Sequence, residues 1–199
     1  MMRIFSLIAV LGGLLFFSGC VSTPEAPISY DFGPQPEQSQ PPRLKQPLLV
    51  HDVRAAAWME SPQIYYRLAY RDATKPLAYI GSRWVMPPTA LLTLRLRRQL
   101  GAVSSGGIIL PGDSVRSSHA LRIELEEFAQ VFDAPERSRA VVRIRASLFG
   151  SRDLIAQRSF VIERPTASPD SQGGVLALIG ASDEAIGQII DWTVQNVKD

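Results

Sequence analysis

Three stretches decide the fold: residues 121–132, LRIELEEFAQVF; residues 140–148, AVVRIRASL; and residues 154–160, LIAQRSF. In the first, Leu121, Ile123 and Leu125 alternate with Arg122, Glu124 and Glu126. In the second, Val142, Ile144, Ala146 and Leu148 alternate with Val141, Arg143, Arg145 and Ser147. Successive side chains of a strand point to opposite faces, so a period of two puts one face on a core and the other in water. The intervening Asp133-Ala134-Pro135-Glu136 and Gly150-Ser151-Arg152-Asp153 are short and polar, which suits antiparallel hairpins. The pattern predicts a three-stranded meander over residues 118–132, 139–149 and 154–163.

The flanks complete the architecture. Beyond Gly173 and Gly174, the residues Ile186, Ile189, Ile190, Thr193, Val194 and Val197 recur at helical spacing, with Asp183, Glu184, Gln188, Asp191 and Gln195 opposite them. Upstream, residues 48–50 with Val53, residues 63–71 (QIYYRLAYR) and residues 77–84 read as strands. Pro87 and Pro88 stop the last of these, because proline gives no donor to a ladder yet suits a helix's first turn. Over residues 89–100, Leu92, Leu96 and Leu100 recur every fourth position while Arg95 and Arg98 fall on another face, so a helix follows. The expected fold is α+β: a two-layer arrangement of a mostly antiparallel sheet with a central helix and a C-terminal helix packed on one face.

Composition removes several function classes. The chain of 199 residues is 46% hydrophobic and 20% charged, enough apolar material for one packed domain. Lys+Arg 21 against Asp+Glu 19 leaves a net charge of +2, far from the concentrated basic face that nucleic acid needs. One cysteine, Cys20, and two histidines, His51 and His119, supply neither a disulfide framework nor a Cys/His metal site. Glu124, Glu126 and Glu127 cluster, but outward carboxylates on a strand ordinarily keep a sheet soluble. His119 beside Ser117 and Ser118 has no orienting acid in sequence, so a triad is not expected. The expectation is no enzyme, no cofactor and no metal.

The amino terminus carries an address. Residues 1–19 show a cationic start at Arg3, an apolar run over residues 4–17 and small residues Ser18 and Gly19, the layout of a secretory signal peptide. Phe17-Ser18-Gly19-Cys20 resembles a bacterial lipobox, which implies diacylglyceryl and N-acyl lipid on Cys20. Each acyl chain contributes about 0.8 kcal/mol per buried CH₂, so several hold a protein on a bilayer almost permanently. The other reading, an uncleaved anchor, leaves the working domain outside the cytoplasm as well. Val21 in place of an aspartate points to the outer membrane, so the expected location is the periplasmic face of the envelope. Residues 20–47 contain Pro24, Pro27, Pro34, Pro36, Pro41, Pro42 and Pro47 and read as a lipidated cysteine with a proline-rich tether. Such a tether spans up to about 80 Å. Residues 48–199 are then a single α+β periplasmic domain.

With these pieces in order, the Trp-x-x-Pro-Pro-x-x-Leu-Leu string from Trp84 to Leu92, the meander and a terminal helix bearing Trp192, the chain resembles a known family. It is similar to the auxiliary lipoproteins of ABC-type transport systems, the PqiC-like group that accompanies MCE-domain lipid transporters. The resemblance implies a non-enzymatic subunit helping to move lipids between inner and outer membranes, with an MCE-domain protein, a permease and an ATPase as partners. Only Cys20 carries over as a functional residue. Two alternatives remain: a structural or assembly lipoprotein of an outer-membrane complex, and a periplasmic lipid-binding carrier with residues 175–179 (VLALI) lining a cavity.

The candidate partner-binding residues are Trp84, Pro87, Pro88, Arg95 and Arg98. Tryptophan beside rigid prolines serves either as a docking platform or as a core plug at a strand end. Arg95, Arg97 and Arg98 read either as forks for an anionic partner or as a solvated helix face. Self-association is open at this level.

Overall fold

The computed structural model describes residues 26–34 and 41–197. In chain order the strands are β1 Ile28–Tyr30, β2 Leu48–Val50, β3 Arg54–Ala55, β4 Gln63–Leu68 and β5 Asp72–Trp84, then β6 Ile108–Ile109, β7 His119–Ala134, β8 Arg137–Phe149 and β9 Leu154–Pro165. Helix α1, Pro88–Ala102, lies between β5 and β6, and helix α2, Ser171–Asn196, closes the chain.

β7, β8 and β9 form the expected antiparallel meander. Leu121 faces Leu148, Leu125 faces Ile144 and Phe128 faces Val142, while Ile144 and Val142 face Phe160 and Ile162 on β9. One feature of the pattern departs from strict alternation. A bulge between Leu125 and Glu127 shifts the phase of β7, so that the inward series Leu121, Ile123, Leu125 continues as Phe128 and Gln130. An extra residue in one strand does this by opposing two residues to one, and it accounts for two successive glutamates before Phe128.

The other edge of β7 is shared. β2, β3 and β4 run parallel to it at residues 119–121, 124–125 and 130–132, as one strand broken by loops and by a 3₁₀ turn at Ala57–Met59. β5 folds back antiparallel on β4, β6 lies parallel to β2, and β1 lies parallel to Ser82–Trp84. The sheet is therefore mixed, with its long pairings antiparallel.

Both helices cover one face. Leu92, Leu96 and Leu100 of α1 and Leu178, Ala181, Ala185, Ile186 and Ile189 of α2 join Leu121, Leu125, Ile144 and Leu148 in one buried cluster. The opposite face carries ion pairs, among them Arg145 to Glu124 at 2.6 Å and to Glu126 at 3.4 Å, and Arg67 to Glu127 at 3.5 Å. This is the α+β, two-layer fold expected from the sequence. Helix α2 starts before the glycines. Asp170 accepts from the Gly173 N–H at 2.7 Å as N-cap, and Gly174 sits so close to the Gln130 side chain that no Cβ fits.

Two expectations are corrected. The folded unit does not begin at Leu48, since Ile28–Tyr30 extends the sheet and Phe32 and Leu44 are core residues, 6% and 2% exposed. Prolines 27 and 34 flank this short strand without interrupting it, so the stretch read as tether lends its middle to the fold. Residues 175–179 do not form one common apolar face. Val175, Ala177 and Leu178 are buried in the common core, and Leu176 is 61% exposed. Residues 1–19, read from the sequence as a signal peptide, and Cys20 lie outside the described residues.

Candidate functional site

The residues singled out from the sequence gather where β5 turns into α1. Trp84, 1% exposed, is the last residue of β5. Its ring meets Phe32 edge-on at 5.6 Å and Phe128 at 5.8 Å between centroids. The indole Nε1 is buried without a hydrogen-bond partner. Trp84 is thus a core plug and presents nothing to a partner. Pro88 occupies the first turn of α1 and is buried, and Pro87 before it is half-buried.

Arg95 is corrected most strongly. The helical spacing suggests a solvated or partner-facing arginine, yet it is 6% exposed. Its Nε and Nη2 donate to the two carboxylate oxygens of Asp183 on α2, at 2.8 and 3.0 Å. Nη1 and Nη2 also donate to the carbonyls of Gly33 at 3.1 Å and Phe32 at 3.0 Å. A planar guanidinium with five donors can take both oxygens of a carboxylate and two carbonyls at once. Gln99 adds a bond to Asp183 at 3.1 Å. The carbonyls converge because Gly33 takes φ +63, which glycine adopts without strain, while Asp31 Oδ1 accepts from the Gly33 N–H at 2.7 Å. Arg95 therefore locks the N-terminal segment, α1 and α2 together, and it is not free to meet a partner.

One turn further, Arg98 behaves differently. It is exposed and makes no ion pair among the described residues. With Asp31, Val85, Met86, Leu91 and Leu94 it lines an open groove of about 230 Å³. Val85 is 52% and Leu94 58% exposed, so the floor is apolar and wet. The size falls below the roughly 300–1,000 Å³ of pockets that enclose small molecules, and suits instead a few side chains of an extended or helical segment. Of the five candidates, Arg98 and Pro87 stay accessible, while Trp84, Pro88 and Arg95 build the frame behind them. Val85 and Leu94 were missed in the sequence. The available signal was Leu94, an apolar residue among the arginines on the polar side of α1.

The other constellations resolve into ordinary contacts. His119 Nδ1 lies 3.1 Å from Ser118 Oγ, and Ser117 donates to carbonyls, so no carboxylate orients the imidazole among the described residues. Glu124, Glu126 and Glu127 are held by arginines. No group of three or more metal-ligating side chains occurs among the described residues.

Comparison with known proteins supplies what geometry cannot. The sequence pattern of the family described as "ABC-type transport auxiliary lipoprotein component" matches residues 30–190. That match begins within β1, in agreement with the packed N-terminal segment. No curated protein matches the chain. Among solved structures, a Xanthomonas campestris protein of family DUF330 is similar with TM-score 0.68 at 22% identity, over 86% of this chain and 92% of that one. A hypothetical protein from Chlamydia trachomatis is similar with TM-score 0.50 at 11% identity, over 76% of this chain and 97% of that one. At these identities the structures speak for the fold alone.

Proposed function

Because the chain belongs to the family of ABC-type transport auxiliary lipoprotein components, we propose that it is the envelope-anchored docking subunit of a transporter that moves lipids between inner and outer membranes. In this reading Cys20 carries the acyl chains and seats the protein on the periplasmic leaflet of the outer membrane. An MCE-domain protein with its permease and ATPase supplies the conduit and the energy. The family is one of auxiliary components, and a docking role asks no chemistry of the chain's own side chains.

The observation that carries the reading is the contrast at the β5–α1 corner. Arg95 and Trp84 make a rigid frame, and directly outside it Val85, Leu94 and Arg98 form an apolar floor with a cation that has no ion-pair partner among the described residues. Such a surface fits a partner segment that offers an apolar side chain and a carboxylate, with the desolvated centre contributing most of the affinity. The length of chain available to the anchor is also short. If the acyl group is on Cys20, residues 21–27 reach at most about 25 Å before β1 begins, so the domain works close to its membrane and not at the end of a long arm.

The test is a mild-detergent pull-down of the native lipoprotein from its own envelope, with co-purifying proteins identified by mass spectrometry. An MCE-domain protein with permease and ATPase is the expected result, and the double variant Leu94→Glu/Arg98→Glu should lose them while keeping its circular dichroism. Recovery of an outer-membrane barrel without transporter components overturns the transport reading. Full recovery of the transporter by the variant moves the docking site elsewhere.

A further inference from the structure

At one end of the outer sheet face a cleft opens between the β2–β3 connection and the neighbouring parts of β7 and β8. It has two lobes, of about 180 Å³ and about 480 Å³, and Arg54, Arg122 and Ile123 line both. Strand register puts Arg54 beside Glu124, and Glu124 opposite Arg145. Most charge here is neutralised within the chain. Arg145 holds Glu124 and Glu126, and Arg97 reaches Asp52 at 2.9 Å. Arg54 and Arg122 are the exceptions: both are exposed, and neither pairs with a carboxylate among the described residues. The Arg122 guanidinium lies 4.7 Å from the centroid of the Phe149 ring, which steers it along the wall of the cleft. His51 registers the surplus of positive charge. Burial lowers its pKa first, and Arg122, Arg54 and Arg97 lower it further against the opposing Asp52.

We propose that this cleft is a binding site for a phosphate ester, with the Arg54 and Arg122 guanidinium groups holding the phosphate oxygens. The larger lobe, walled by Ala55, Ala56 and Phe149 and by the polar side chains of Glu124, Arg145 and Ser147, takes the organic group attached to the phosphate. Guanidinium forks match phosphate geometry and bind it with charge-assisted hydrogen bonds. Two unpaired like charges lining one concave wall repel each other until an anion comes between them. The same chemistry is offered by a phospholipid headgroup and by a free phosphate compound. This site shares no residue with the groove beside α1 and does not depend on the docking role.

The experiment is a phosphorus-31 NMR titration of the full chain, purified in a phosphorus-free sugar detergent. The probes are inorganic phosphate, sn-glycerol 3-phosphate and dihexanoyl-phosphatidylglycerol. The readout is the difference between wild type and Arg54→Gln/Arg122→Gln, so that partition of lipid into detergent cancels. At least one probe should bind wild type, and the double variant should bind it at least tenfold more weakly. Arg137→Gln, an exposed cation at the β7–β8 turn, should bind as wild type does. Tighter binding of the lipid than of inorganic phosphate identifies a headgroup site, and equal binding identifies a free phosphate site; both support the proposal. No binding of any probe, equal binding by the double variant, or an equal loss in Arg137→Gln overturns it.

Discussion

The two edges of β7 are built in opposite ways. Along one, β8 pairs from Ala120↔Phe149 to Ala134↔Arg137 through a tight turn, and β9 continues the same hairpin logic. Along the other, the short pieces β2, β3 and β4 touch β7 in turn, and none of them is longer than six residues. A hairpin closes a short loop and gains its partner at little entropic cost, whereas short parallel segments close long loops and need support from elsewhere. That support is visible. The Arg43 and Leu44 N–H groups donate to the carbonyl of Val103, Val53 N–H donates to Thr93 Oγ1 at 2.9 Å, Phe32 meets Trp84 edge-on, and Arg95 joins three segments. One half of the sheet is joined by long local pairings and covered by α2, and the other depends on α1 and on the N-terminal segment.

This difference predicts where the molecule fails first. The largest effect is expected for Trp84→Ala, which empties the space between Phe32 and Phe128 and costs about 4 kcal/mol. Denaturant melts should register the loss. Hydrogen exchange should quicken in β1, β4 and β5 while the β8–β9 amides stay protected; uniform loss of protection would mean that the two halves unfold as one unit.

Arg95→Ala comes next, at about 3 kcal/mol, because it leaves the buried Phe32 carbonyl without its donor, frees the Gly33 carbonyl and leaves the partly buried Asp183 with Gln99 but without its cation. Limited proteolysis should then cut between Pro27 and Pro34, where wild type resists. A variant that stays resistant would show that β1 pairing and Phe32 suffice without the arginine.

The smallest effect belongs to the side of long local pairings. Asp170 caps α2, which packs over β8 and β9, and hydrogen bonds from the Gly173 N–H and Ser168 lower its pKa. A carboxylate whose pKa is depressed by folding stabilises the native state above its unfolded value, near 3.9, and loses that contribution as pH falls through the folded value. Asp170→Ala should cost about 1 kcal/mol at pH 7. Thermal melts of variant and wild type should converge below about pH 4. A gap that persists in acid would assign the loss to helix propensity and not to the charged cap.

Legibility followed the same division. The meander, α1 and the closing helix were readable because their signals are local: alternation in residues 121–125 and 142–148, four-residue spacing of Leu92, Leu96 and Leu100. The bulge before Phe128 was less legible, since LEEF breaks the alternation without saying where the strand recovers. β1 and Phe32 were hidden among prolines, because a three-residue strand becomes stable only against Ser82–Trp84, far along the chain. At the candidate site, Trp84, Pro87, Pro88, Arg95 and Arg98 meet at one corner because they are close in sequence, across the end of β5 and the first turns of α1. Arg95 and Arg98 are nevertheless indistinguishable by type and spacing.

What the sequence by itself determined is the class of fold, the order of its hairpin strands and helices and, through the lipobox-like Phe17-Ser18-Gly19-Cys20 and the Trp84–Leu92 string, the family resemblance. Each of these rests on neighbours within a few residues, where side-chain period and turn chemistry act directly. Only the tertiary structure decided that Arg95 is a buried joint while Arg98 faces water, that the N-terminal segment belongs to the sheet, and that Arg54 and Arg122 line one cleft. Burial and pairing of a charge depend on which distant carbonyl or carboxylate arrives beside it, and that is settled when the layers close.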